Sequence, residues 1–121
     1  MDRFKYRVWD IELKRFFNDE EVVIYPNGEE SFFNADYDFA ECVVEQCTGL
    51  MDKKGKLIYE GDILKCIHSD IMKYKIYWGR SCWRMKVYGT NNKIVDDSHL
   101  FLDTAILEVI GNIHENKELL S

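Results

Sequence analysis

Bulky and charged residues alternate along the N-terminus of this chain. Phe4, Tyr6 and Val8 fall in one phase and Lys5, Arg7 and Trp9 in the other, a period of two that predicts a strand. A short connection follows, and Arg15, Phe16 and Phe17 are positioned to form the returning strand. Val22 to Tyr25 is a short β-branched run ended by Pro26-Asn27-Gly28, a strong turn signal. Between Glu29 and Ala40 the pattern loses its period, mixing Phe32, Phe33, Tyr37 and Phe39 with Asp36 and Asp38. A long loop, a short helix or an irregular strand would each fit that segment. Val43 and Val44 then lead into another strand towards Cys47.

Residues 48–65, TGLMDKKGKLIYEGDILK, hold the densest run of turn signals. Asp52-Lys53-Lys54-Gly55-Lys56 reads as a hairpin turn, with Gly55 where a positive φ is needed. Leu57, Ile58 and Tyr59 leave it as a strand. Glu60-Gly61-Asp62 is a second turn, followed by Ile63, Leu64, Cys66 and Ile67 as the next strand. Gly61 takes a backbone angle that other residues resist, and the Asp62 side chain can accept from nearby backbone N–H groups. Further strands are predicted at residues 74–78 and 82–88, separated by Gly79-Arg80. Gly89 to Asn92 turns the chain, Asp96 to His99 reads as a polar loop, and residues 107–113 form the last clear strand. Asn116 is placed to cap a final helical turn carrying Leu119 and Leu120. Short strands at close spacing predict a mainly β fold, α+β at most: a small coiled sheet or small barrel with short irregular or helical segments.

The 121 residues suit one compact domain, which at this length can bury a core without staples. The N-terminus has no apolar core of a signal peptide, and no run approaches the ~20 apolar residues of a membrane span. A cytoplasmic protein is expected. Its four cysteines, at 42, 47, 66 and 82, are then read as buried free thiols behaving as small hydrophobes, not as bridges or metal ligands.

Three blocks resemble one family. Phe4 to Asp10, FKYRVWD, is similar to the opening F-R-x-W-D block of the YopX family of small phage and prophage proteins. Residues 48–63 resemble its central T-G-L-x-D-x-x-G-x-x-I-Y-E-G-D-I block, and Glu108 to Leu120 its closing V-I-G-N-I-x-E-N-P-E-L-L block. The blocks fall in order from end to end. Cys47 stands where the family has an aromatic, and Lys117 replaces a proline, which loosens the expected C-terminal turn. The resemblance implies a single β domain over residues 1–121, partly SH3-barrel-like, with a phage or prophage origin. Residues 18–40 match no block and read as a variable acidic, insertion-like segment. The resemblance brings no catalytic residues.

The residues themselves offer little chemistry. Cys42 and Cys47 are five apart and Cys66 and His68 two apart, so neither pair makes a C-x-x-C knuckle. A site joining Cys66, His68 and Cys82 is geometrically conceivable, but ordinary half-buried strand residues explain all three. His114, beside Asn112 and Glu115, reads as an exposed strand edge. Asp36, Asp38, Asp96 and Asp97 read as solvated loop charge. No nucleophile elbow and no phosphate-binding glycine loop is present. No enzyme activity, cofactor or metal is expected.

Charge is more informative. The net charge is −6, but residues 10–46 hold eleven acids against two bases, and residues 65–93 hold seven bases against one acid, Asp70. Those bases interleave with Tyr74, Tyr77, Trp78, Trp83 and Tyr88. The predicted hairpin 73–88 therefore supplies candidate binding residues: Lys73, Lys75, Tyr77, Arg80, Arg84, Lys86 and Tyr88. Gly55, Gly61 and Asp62 are assigned to turns. Three readings stand for the hairpin: plain sheet surface, a face for a host or phage protein or for self-association, or a single-stranded nucleic-acid surface. The expected function is a non-catalytic phage-type accessory protein acting through protein binding or self-association, with nucleic-acid binding as the alternative.

Overall fold

The computed structural model describes residues 6–17, 22–24, 30–32, 42–100 and 104–121, with the backbone alone for 22–24 and 30–32. The turn at Pro26-Asn27-Gly28, the residue Phe4 and most of the insertion-like segment 18–40 lie outside the described residues. Among those described, the elements are β1 (Tyr6–Asp10), β2 (Arg15–Phe16), β3 (Val22–Ile24), β4 (Glu30–Phe32), β5 (Cys42–Met51), β6 (Leu57–Tyr59), β7 (Asp62–Cys66), β8 (Lys73–Gly79), β9 (Cys82–Tyr88), β10 (Ile94–His99) and β11 (Leu107–Asn112), with 3-10 helices at Thr90–Asn92 and Lys117–Leu120. The expected mainly β class holds. No described helix is long and apolar enough to cross a membrane.

The strands form a four-stranded sheet, β2-β1-β5-β6, a five-stranded sheet, β10-β9-β8-β7-β11, and the hairpin β3-β4. Every described pairing is antiparallel. β5 serves both halves of the first sheet, pairing β1 through residues 42–46 and β6 beyond a register shift that starts at Cys47. One face of the larger sheet supplies Leu64, Ile76, Met85 and Leu107 to the core, where Ile58 from β6 and Leu100 join them. Burying side chains of this size contributes roughly 1.5–3 kcal/mol each before entropy is counted, and Ile58 makes that core common to both sheets.

The turns in residues 48–65 carry the connections. Gly55 has φ of 81° and donates its N–H to Asp52 O at 3.0 Å. The Asp52 carboxylate accepts from the N–H groups of Lys54 and Lys56 within the turn and of Val109 on β11, each at 2.9 Å. Lys53 N–H donates to Leu107 O at 2.9 Å, so this turn covers the outer edge of β11. At the second turn Gly61 has φ of 85°, donates to Ile76 O at 2.8 Å and accepts from Ile113 N–H at 2.9 Å.

Several elements differ from the sequence reading. Asp96 to His99 is strand, not loop: it forms most of β10, paired to β9 with a bulge after Ile94. Both its faces are largely exposed at an outer edge, so no apolar alternation marks it. Leu100 N–H donates to Trp83 O. By the period of two, the Asp97 N–H then points away from β9, where it is covered by Asp96 Oδ1 at 2.8 Å. The β8–β9 turn is Arg80-Ser81, both left-handed, because Gly79 still pairs with Cys82. Ile67 and His68 sit in a turn rather than continuing β7. Asn116 precedes the last helical turn without bonding it through its side chain. Its Oδ1 instead accepts from Asn112 N–H at 3.1 Å.

Candidate functional site

Each residue of the predicted hairpin site has a definite place. Cross-strand register puts Lys73, Lys75 and Tyr77 of β8 on one face with Tyr88, Lys86 and Arg84 of β9. Arg84 and Tyr88, expected on a contact surface, are buried instead, each 8% exposed. Arg84 Nε donates to Asp97 Oδ1 at 3.0 Å and to the Tyr77 hydroxyl at 3.3 Å, and Tyr77 in turn donates to Asp97. These bonds hold the guanidinium's pKa above its usual value and the Asp97 carboxyl below its own. Lys73 Nζ donates to Leu119 O at 2.7 Å and to Asn92 Oδ1 at 3.3 Å. Lys86 Nζ lies 5.4 Å from the centre of the Tyr77 ring. Arg80 is exposed at the turn.

Lys75 differs from the others. It stands directly opposite Lys86 and has no ion pair among the described residues. It lines a cleft of about 220 Å³ with Glu45, Glu60, Gly61, Tyr77 and Ile113. The neighbouring like-charged pair, Lys65 opposite Lys73, is relieved by Glu108 on one side and the Leu119 carbonyl on the other.

Behind the cleft lies a buried ionic cluster that sequence reasoning missed. Arg7 from β1 donates from Nε to Glu45 Oε1 on β5 at 3.0 Å, from NH1 to Asp62 Oδ1 on β7 at 2.8 Å, and from NH2 to the Glu60 carbonyl at 3.0 Å. Its guanidinium lies 4.7 Å from the Phe16 ring centre and 4.8 Å from that of Tyr59. Asp62 Oδ2 accepts from Tyr59 N–H at 2.8 Å. Asp62 is thus both a turn residue and an anion buried against Arg7. Burial nevertheless dominates, and its carboxyl is pushed up despite the guanidinium and that N–H bond.

Glu45 is buried as well. Burial raises its carboxyl to about 7, against the opposing pull of Arg7. A Cβ on Gly61 would run into Glu45 Oε2, and the left-handed φ already disfavours any other residue here. His114 is not on an exposed edge. It lies in the turn after β11 with its side chain 13% exposed, stacked on Trp9 at 4.8 Å between ring centres. Its Nε2 comes within 3.2 Å of Glu45 Oε2 without the alignment of a hydrogen bond. Burial, then the positive charges of Arg7 and Lys117, keep the imidazole's pKa below its usual value.

Both Arg7 and Asp62 lie in family-like blocks, but their partners Glu45 and His114 come from outside the matched positions. The signal that pointed to the cluster was Trp9. It shares a phase with Arg7 in β1, so the phase read as polar is itself buried. Cys66, His68 and Cys82 do not meet: Cys82 Sγ instead lies 3.9 Å from His99 Nδ1. Among the described residues no group of three or more His, Cys, Asp or Glu is arranged to hold a metal.

A family model described as YopX protein matches residues 5–121. The chain belongs to the YopX family. This family member is also similar to a crystal structure of protein EF1440 from Enterococcus faecalis, with 27% identity, a TM-score of 0.57 and 97% of each chain covered. A comparison with curated proteins gave no match.

Proposed function

We propose that this YopX protein is a non-catalytic binding module, in the phage-type accessory role that the family resemblance implies, and that it takes an acidic protein surface at the half-buried Lys75–Lys86 pair of its five-stranded sheet. The observation that carries this reading is the Lys75–Lys86 pair. Like charges directly opposite on neighbouring strands weaken a sheet; Lys86 faces Asp97 of β10 on its other side, but Lys75 has no ion pair among the described residues. An acidic partner relieves that repulsion. Residues 10–46 of a second copy carry such charge, so self-association falls within the same reading.

The buried cluster supports a non-catalytic role. Three of its four carboxylate oxygens are taken by Arg7 and by Tyr59 N–H, and the fourth, Glu45 Oε2, lies beside His114 Nε2. These bonds join β1 and β5 of one sheet to β7 of the other, which is a structural use of the cluster. The nucleic-acid alternative is weakened because Arg84, Lys73 and Tyr88 are turned to internal partners or buried.

The test is Lys75→Glu with Lys86→Glu, chosen because Arg84 is structural. Sedimentation of the wild type is expected to show salt-sensitive self-association, or pull-down from host extract a salt-sensitive partner. The variant loses it without a lower melting temperature. Unchanged assembly and capture in the variant overturns the reading. A salt-sensitive shift of labelled single-stranded oligonucleotide, lost in the variant, transfers the surface to nucleic acid.

A further inference from the structure

A second cavity, of about 440 Å³, opens beside the buried cluster and is lined by Trp9, Ile11, Lys14, Val43, His114 and Lys117. Its volume falls within the range of small-molecule sites, about 300–1,000 Å³. It uses none of the lysines on the five-stranded sheet. Three chain segments build it: the β1–β2 turn, the start of β5, and the C-terminal turns after β11.

Its walls are apolar and rigidly held. Trp9 is 6% exposed and is fixed by the His114 ring on one side and by the edge of Phe16 at 4.9 Å. Val43 is anchored opposite Trp9 in the β1–β5 register. Ile11 remains half exposed, at 50%, on the β1–β2 turn.

The rim carries two cations from distant parts of the chain, Lys14 and Lys117, and neither ammonium has an ion pair among the described residues. Lys14 is held in place at a cost. Its φ is 56°, a left-handed conformation disfavoured for a side chain of this kind. The turn that imposes it is fixed by Lys14 N–H donating to Asp10 O at 2.9 Å, and by Glu12 and Leu13 N–H donating to Asp10 Oδ1 at 3.0 Å each. Lys14 and Lys117 thus line one cavity from opposite ends of the chain, each without an ion pair among the described residues.

We propose that this cavity binds a small amphipathic carboxylate, its apolar body against Ile11, Val43 and the Trp9 edge and its anionic head between Lys14 and Lys117. The uncompensated positive rim selects an anion, and the aliphatic and aromatic walls select an apolar body over a hydrated ion. A carboxylate on a short chain matches both the single shell of lysines and the volume.

The probe pair is 3-phenylpropionate and its neutral counterpart 3-phenylpropan-1-ol, titrated into the folded protein and followed by amide and imidazole resonances. The carboxylate is expected to shift Ile11, Val43 and His114 saturably and to bind at least tenfold more tightly than the alcohol. Lys14→Gln with Lys117→Gln, both on exposed positions, is expected to remove that preference while leaving the remaining spectrum in place. Equal binding of acid and alcohol, an unchanged preference in the double variant, or no saturable shift at millimolar probe each overturns the assignment. Because Lys75 and Lys86 take no part, these results are independent of the sheet-face reading.

Discussion

A single carboxyl group, that of Glu45, ties the stability of this protein to pH. Its folded value, about 7, lies above the ordinary 4.5 because burial penalises the anion. A raised value means that the folded state holds the proton more tightly. The associated stability is fully present below 4.5 and is lost as pH rises through about 7. Glu45→Gln keeps an acceptor for Arg7 and cannot ionise. Denaturant titrations from pH 5 to 8 are expected to show the wild type losing on the order of 1–3 kcal/mol that the variant keeps. His114 acts in the opposite sense: its lowered value gives stability present above 6.5 and lost as pH falls through the folded value. With Glu45→Gln in place, the His114 slope below 6.5 is expected to remain. None of this was legible locally. Glu45 is 38 positions from Arg7, and a lone Glu in a strand reads as solvated until the chain is folded. His114 misled for the same reason, since its polar neighbours Asn112 and Glu115 bond each other and the local turn, leaving the ring to pack inward.

Among the elements, the hairpin turn between β5 and β6 shows what could be read directly. Gly55 and Gly61 both have the positive φ that their spacing suggested. Turn chemistry is local, so four or five residues suffice to express it. The reach of Asp52 to β11 was not visible, because Val109 is 57 positions away. Burial would raise the Asp52 carboxyl, but the N–H groups of Val109, Lys56 and Lys54 outweigh it and hold it below 3.8. Its contribution is present above that ordinary value and lost as pH falls through the depressed one. Asp52→Ala frees three N–H donors at once. Thermal melting at neutral pH is expected to report a loss of about 2–4 kcal/mol, and hydrogen exchange to speed up along β11 as well as in the turn. The strand β10 was missed for the converse reason. A solvated edge strand carries no apolar period, and its aspartates imitate a loop.

For the whole molecule, an acidic stretch and a basic sheet face coexist within a net charge of −6. Fold class was legible because strand length, turn spacing and the three blocks all agreed. The proposed binding surface was only half legible: the excess of bases over residues 65–93 marked the hairpin but could not show which of them already had partners. The assembly proposed for that face would be a contact of finite reach, and the β10 edge bears on whether it stays so. Its outer edge presents the bulge after Ile94 and an Asp97 amide already covered by Asp96. Asp96→Val removes the cover and one charge, leaving a run of three apolar residues at the rim of the sheet. Incubation with a fibril-sensitive dye is expected to show faster onset in that variant, and an unchanged lag would separate the edge from the effect. In the proposed self-association, Asp96 hinders backbone pairing along this edge, so crowding at high expression is expected to end in discrete particles and not in ribbons.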